Sequence, residues 1–151
     1  MEQKKQRFVD HQLRATWMAI AKMYNEEASK YDSTMAVAFL LLQIDKEHGT
    51  ASTALGPKMG MEPTSLSRLL KRMETNGLIY REKNPNDGRG VLIKLSSLGE
   101  EKRTTSKNSV QRFNETVQGE FSKKELDVFF EVTHKIRDMI SEKSIFDTIK
   151  K

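Results

Sequence analysis

Four cations define the chemistry open to this chain: Arg68, Lys71 and Arg72 in one short run, and Arg89 in a glycine-flanked turn. Thr64, Ser65 and Ser67 accompany the first three, so short hydroxyls and long cations alternate with leucines. Guanidinium and ammonium groups neutralise phosphates, guanidinium forks also read base edges, and hydroxyls hydrogen-bond to either. Between Glu62 and Lys94 seven cations stand against four anions, a large part of the chain's +5 net charge. The residue types and the sign of the charge point to a polyanionic partner.

Such side chains act together only if one element holds them on one surface. Leu66, Leu69, Leu70 and Met73 follow the i, i+3, i+4, i+7 spacing of a helix packed on one face. At about 100° per residue the opposite face carries Thr64, Arg68, Lys71 and Thr75, with Ser65, Ser67 and Arg72 on its flanks. Glu62 stands at the N-cap position, Pro63 suits the first helical position, and Asn76-Gly77 ends the helix. Two alternating runs come next, with Ile79, Arg81 and Lys83 facing Val91, Ile93 and Leu95 across the loop 84–90, which is dense in turn formers. Arg89 is the long cation at the hairpin tip, and Asp87 is placed to bond the amides of the turn and orient it. A short helix, a recognition-type helix and a basic-tipped hairpin, in that order, describe a winged helix-turn-helix.

The flanking sequence is helical. Leu13, Trp17, Ile20, Ala21, Tyr24 and Ala28 form a stripe on a helix expected over about Lys5 to Lys30. Asp32-Ser33 offers a start for a second helix reaching about His48-Gly49, and its segment Met35 to Leu42 is apolar nearly all round. A short helix is expected from about Thr53 to Met59, capped by Ser52 or Thr50. After the hairpin, Ser96-Ser97-Leu98-Gly99 opens a long polar helix to about Gly119. Phe121-Ser122 starts a last helix striped by Leu126, Phe129, Phe130, Ile136 and Ile140, and the apolar tail Ile145 to Ile149 follows. The predicted fold is mainly α with a small β-hairpin wing. It is one domain over 1–151, with a DNA-binding region at about 33–98 and helical dimerisation regions at about 5–30 and 98–146.

Several functions are excluded or disfavoured. The chain has no cysteine, which removes disulfides, thiolate metal sites and thiol redox sensing. The first ten residues are mostly polar and the longest apolar run is far short of a bilayer span, so a cytoplasmic protein without a signal peptide is expected. No nucleophile–base pair or acid pair can be placed, so no catalytic residue and no cofactor is assigned. His11, His48 and His134 are scattered, and no metal site is expected. Trp17, Tyr24, Tyr31, Met35 and Phe39 are candidates to line a small-molecule pocket, with core packing the competing reading.

The run Asn84-Pro85-Asn86-Asp87-Gly88-Arg89-Gly90, followed by a strand and then Leu95-Ser96-Ser97-Leu98-Gly99, resembles the wing signature of the MarR family of bacterial transcription regulators. Ser67 to Glu74, followed by Gly77-Leu78-Ile79, is similar to that family's recognition helix and its exit. The resemblance implies a homodimer on a pseudopalindromic duplex, with recognition helices in successive major grooves and wing arginines in the flanking minor grooves. It also implies repression as the usual outcome, and release by a small, often aromatic and acidic, ligand. Two positions depart from the family pattern: Gly88 stands where many members carry a second arginine, and Ser96 replaces the commoner threonine. The alternative of a different class is a winged helix used as a protein-interaction module without specific DNA binding.

Overall fold

The computed structural model describes residues 7–147, which fall into two units divided at Ser109/Val110. In the first unit the elements run α1 (Val9–Ser29), α2 (Met35–Gln43), β1 (Thr50–Ala51), α3 (Ser52–Met59), α4 (Pro63–Thr75), β2 (Ile79–Lys83) and β3 (Val91–Leu95). Helix α5 (Ser97–Gly119) begins in this unit, and α6 (Lys123–Ser141) belongs to the second. The expected first-helix start at Lys5, and Thr148 and Ile149 of the tail, lie outside the described residues.

The core of the first unit collects the apolar face of each element. Leu40 and Leu41 of α2, Leu55 of α3, Leu66, Leu69, Leu70 and Met73 of α4, and Ile93 of β3 are all buried in one cluster. Near-continuous apolar sequence in α2 suits its central place, since Val37, Leu40 and Leu41 are buried and no residue from Met35 to Gln43 is exposed. The hairpin forms in the expected register, with Ile79 opposite Leu95, Arg81 opposite Ile93 and Lys83 opposite Val91.

Three local expectations are corrected. Helix α2 is capped by Thr34, whose side chain accepts the Val37 N–H at 3.3 Å, rather than by Asp32-Ser33. It also ends at Gln43 instead of near His48. The chain leaves the helix because Asp45 gathers the next turn: its Oδ1 accepts the Glu47 and His48 amides at 3.0 and 2.6 Å, while its own N–H donates to Thr50 Oγ1 at 2.8 Å. Those bonds, the His48 amide first, hold the Asp45 carboxyl below its ordinary value. The third correction concerns Thr50, which caps no helix. With Ala51 it adds a third antiparallel strand, β1, against Ile93 and Leu92, giving the order β1-β3-β2. Helix α3 therefore starts from Ala51 with no side-chain cap.

The second unit holds the rest of α5 and all of α6. Ser122 and Glu125 close a reciprocal capping box at the start of α6: Ser122 Oγ accepts the Glu125 N–H at 3.2 Å and Glu125 Oε2 accepts the Ser122 N–H at 2.8 Å. No residue of α6 is buried. In the tail, Phe146 is 83% exposed.

Candidate nucleic-acid interface

Helix α4 turns its leucines inward, and that fixes what it shows outside. Leu69, Leu70 and Met73 are buried, which leaves Thr64, Ser65, Ser67, Arg68, Lys71 and Arg72 exposed. Pro63 occupies the first turn as expected; Glu62 sits at the N-cap but makes no side-chain cap bond. At the other end Gly77 is left-handed, at φ +74°, and the Leu78 and Gly77 amides return to the Met73 and Glu74 carbonyls. That double bond pattern is a Schellman stop, and it sends the chain straight into β2.

The wing tip is a tightly bonded loop. Asn84 N–H donates to the Gly90 carbonyl, Gly90 N–H to the Asp87 carbonyl, and Asn86 N–H to Asn84 Oδ1, each at 3.0 Å. Asp87 Oδ1 accepts the Arg89 backbone N–H at 3.0 Å, which constrains the backbone from which the exposed Arg89 side chain extends.

Ion pairing separates the basic residues into two sets. Arg81 Nε lies 3.3 Å from Glu74 Oε2, tying the first wing strand to the end of α4. Lys94 Nζ lies 2.7 Å from Glu82 Oε2 across the hairpin, and that hydrogen bond raises the ammonium pKa above its ordinary value. Among the described residues, Arg68, Lys71, Arg72, Lys83 and Arg89 form no ion pair. Arg81 and Lys94 of the sheet are therefore neutralised within it, while Lys83 and the cations of α4 and the wing tip face solvent unpaired.

Of the five aromatic and methionine candidates, Trp17, Tyr24 and Phe39 bring their rings together. Phe39 packs edge-on to Tyr24 at 5.3 Å and lies 6.5 Å from Trp17. Tyr24 is buried, which raises its phenol pKa, whereas Trp17 remains half exposed. Met35 meets Asn25 through its backbone amide, at 3.0 Å from Oδ1. Tyr31 stands on the wall of a hollow of about 470 Å³ that it shares with Thr34, Arg72, Leu78, Leu98 and Lys102. A second hollow, about 740 Å³, runs between α3 and α4 with Ser52, Ser67 and Arg81 on its wall. The sequence carried only a faint sign of it, in the small residues Gly56 and Gly60. Among the described residues no group of acidic or histidine side chains could hold a metal ion. No described helix is long and apolar enough to cross a membrane.

Comparison with known proteins gives consistent matches. Residues 34–91 match the model of the MarR family. The chain is 26% identical over 119 residues to the HTH-type transcriptional regulator BilQ of Clostridioides difficile, covering 78% of this chain and 80% of that one. It is 33% identical over 78 residues to the multiple antibiotic resistance protein MarR of Escherichia coli, about half of each chain (52% and 54%). In fold it is similar to the MepR protein of S. aureus solved as a DNA complex, with TM-score 0.78, 16% identity, and coverage of 91% of this chain and 99% of that one.

Proposed function

This chain belongs to the MarR family, and from that premise we propose that it is a transcription regulator that binds a pseudopalindromic operator in duplex DNA as a homodimer. The observation that carries the reading is the set of unpaired, exposed cations on α4 and the wing tip, opposite a fully buried apolar stripe. In this reading Thr64, Ser65, Ser67, Arg68 and Lys71 meet base edges and phosphates in the major groove, with Arg72 at the flank. Arg89 enters the minor groove, where narrow A·T tracts attract arginine. Asp87 supports it through the turn. Two-fold symmetry puts the half-sites about 10 bp apart.

The whole chain then acts as a single MarR-type domain, with the winged helix at about 33–98 and dimerising helices on either side of it. Exposed Phe129, Phe130 and Ile140 on α6 support that assignment, since apolar faces of this kind are covered by a second copy in symmetric dimers. The protein acts in the bacterial cytoplasm, as a repressor and without catalytic turnover. A small aromatic acid is the proposed effector. The hollow at Tyr31 supports that choice, because Arg72 and Lys102 supply cations beside apolar Leu78 and Leu98.

Fluorescence anisotropy on duplex from the protein's own upstream region, against scrambled duplex, tests the reading. Tight selective binding by two protomers, weakened by Arg89→Ala, is expected. If a genome-derived pool of duplexes also yields no selective site, and Arg89→Ala changes nothing, the chain is an interaction module instead.

A further inference from the structure

Ser96 lies outside every surface described so far, yet it makes four bonds at one junction. Its hydroxyl donates to the Gly77 carbonyl at 2.5 Å and accepts the Gly99 N–H at 3.0 Å. Its N–H donates to the Leu78 carbonyl at 3.1 Å, and its carbonyl accepts the Glu100 N–H at 2.9 Å, the first helical bond of α5. Gly77 and Leu78 are the two residues that stop α4 through their bonds to Glu74 and Met73. The approach is close: a Cβ on Gly99 would stand 1.9 Å from the Leu78 carbonyl oxygen, so only glycine admits that carbonyl to the first turn of α5.

We propose that Ser96 is a positioning residue for DNA recognition, its hydroxyl fixing the exit turn of α4 to the first turn of α5 so that the two helices move as one body. The inference rests on the DNA-binding reading above and assigns Ser96 no contact with DNA. Its effect falls on selectivity. Base-edge hydrogen bonds need donor–acceptor distances within a few tenths of an ångström, whereas attraction to phosphate tolerates larger displacement. Loosening the junction therefore spares the electrostatic affinity and erodes the base readout.

The test compares wild type, Ser96→Ala and Ser96→Thr on the selected and scrambled duplexes at one salt concentration, with amide hydrogen exchange on the free proteins. Ser96→Ala is expected to lower the selected-to-scrambled affinity ratio about tenfold and to leave scrambled-duplex affinity within about twofold. Ser96→Thr, which keeps the hydroxyl, restores the ratio. Exchange at Gly77, Leu78, Gly99 and Glu100 accelerates together in Ser96→Ala. A uniform loss on both duplexes would mean a merely structural role and would overturn the inference, as would an unchanged ratio or a threonine variant as impaired as alanine. A wild type without selectivity on any duplex overturns the DNA-binding reading, and this inference falls with it; selectivity in wild type that survives Ser96→Ala overturns the inference alone.

Discussion

Helices α4 and α6 carry apolar stripes of similar strength and meet opposite fates. In α4, Leu66, Leu69, Leu70 and Met73 are buried within their own chain; in α6, Phe129, Phe130 and Ile140 each keep more than half their surface exposed. The difference follows from what else the chain supplies. Helices α2 and α3 and the sheet close over α4, so its outer face is free for polar recognition. No residue of α6 is buried. One stripe completes a fold and the other, in the function proposed above, is covered by a second copy, so truncations in the two helices should report different properties.

The largest effect is expected in α4. Met73 is fully buried, and Met73→Ala should cost about 2–5 kcal/mol of stability through lost burial and a residual cavity, read as a lower urea midpoint. The corresponding change in α6, Phe130→Glu, should leave the far-ultraviolet spectrum intact and shift sedimentation from dimer to monomer. A Phe130→Glu chain that stays dimeric would break the comparison. On the outer face of α4, Arg68→Ala should weaken binding to the selected duplex by about 1–3 kcal/mol, about five- to 150-fold in affinity, with no change in the urea midpoint.

The smallest effect concerns the helix starts. Glu125 is held below its ordinary 4.5, first by the Ser122 amide and then by the Ser122 hydroxyl. A depressed carboxylate contributes fully above its unfolded value and is lost as pH falls through the lower folded one. The start of α6 should therefore fray as pH falls below about 4.5, and Glu125→Gln should flatten that transition in helix content. At the start of α4, by contrast, Glu62 makes no side-chain cap bond.

Much of this was legible in the sequence because each signal was local. The leucine spacing fixed the inner face of α4, Gly77 marked its stop, and the alternation on either side of loop 84–90 determined the register of β2 and β3. Strand β1 was hidden because it is two residues long and exists only through its pairing with β3, a contact more than 40 residues away in sequence. The early end of α2 was hidden for a related reason: Asp45 and Thr50 bond to each other across the turn, and the helical pattern alone does not reveal that competition. At the site, the type and exposure of Arg68, Lys71 and Arg89 could be read from spacing. The pairing that occupies Arg81 and Lys94 could not, since all of these residues look alike as cations in a list of letters. Among the aromatic candidates, the ring contacts of Trp17 and Tyr24 with Phe39 join α1 to α2, which helical spacing within one element does not reveal.

If the unpaired cations of α4 and the wing meet DNA phosphates and bases, binding must release counterions. The salt dependence of binding tests it most directly, with wild type and Arg89→Ala measured on the selected duplex and log affinity plotted against log salt concentration. Each lost phosphate contact makes the slope shallower by about 0.9, so a two-fold complex that loses Arg89 from both protomers should lose about two in slope. Parallel lines for the two proteins would mean that Arg89 displaces no counterions and that the wing tip is not at the DNA.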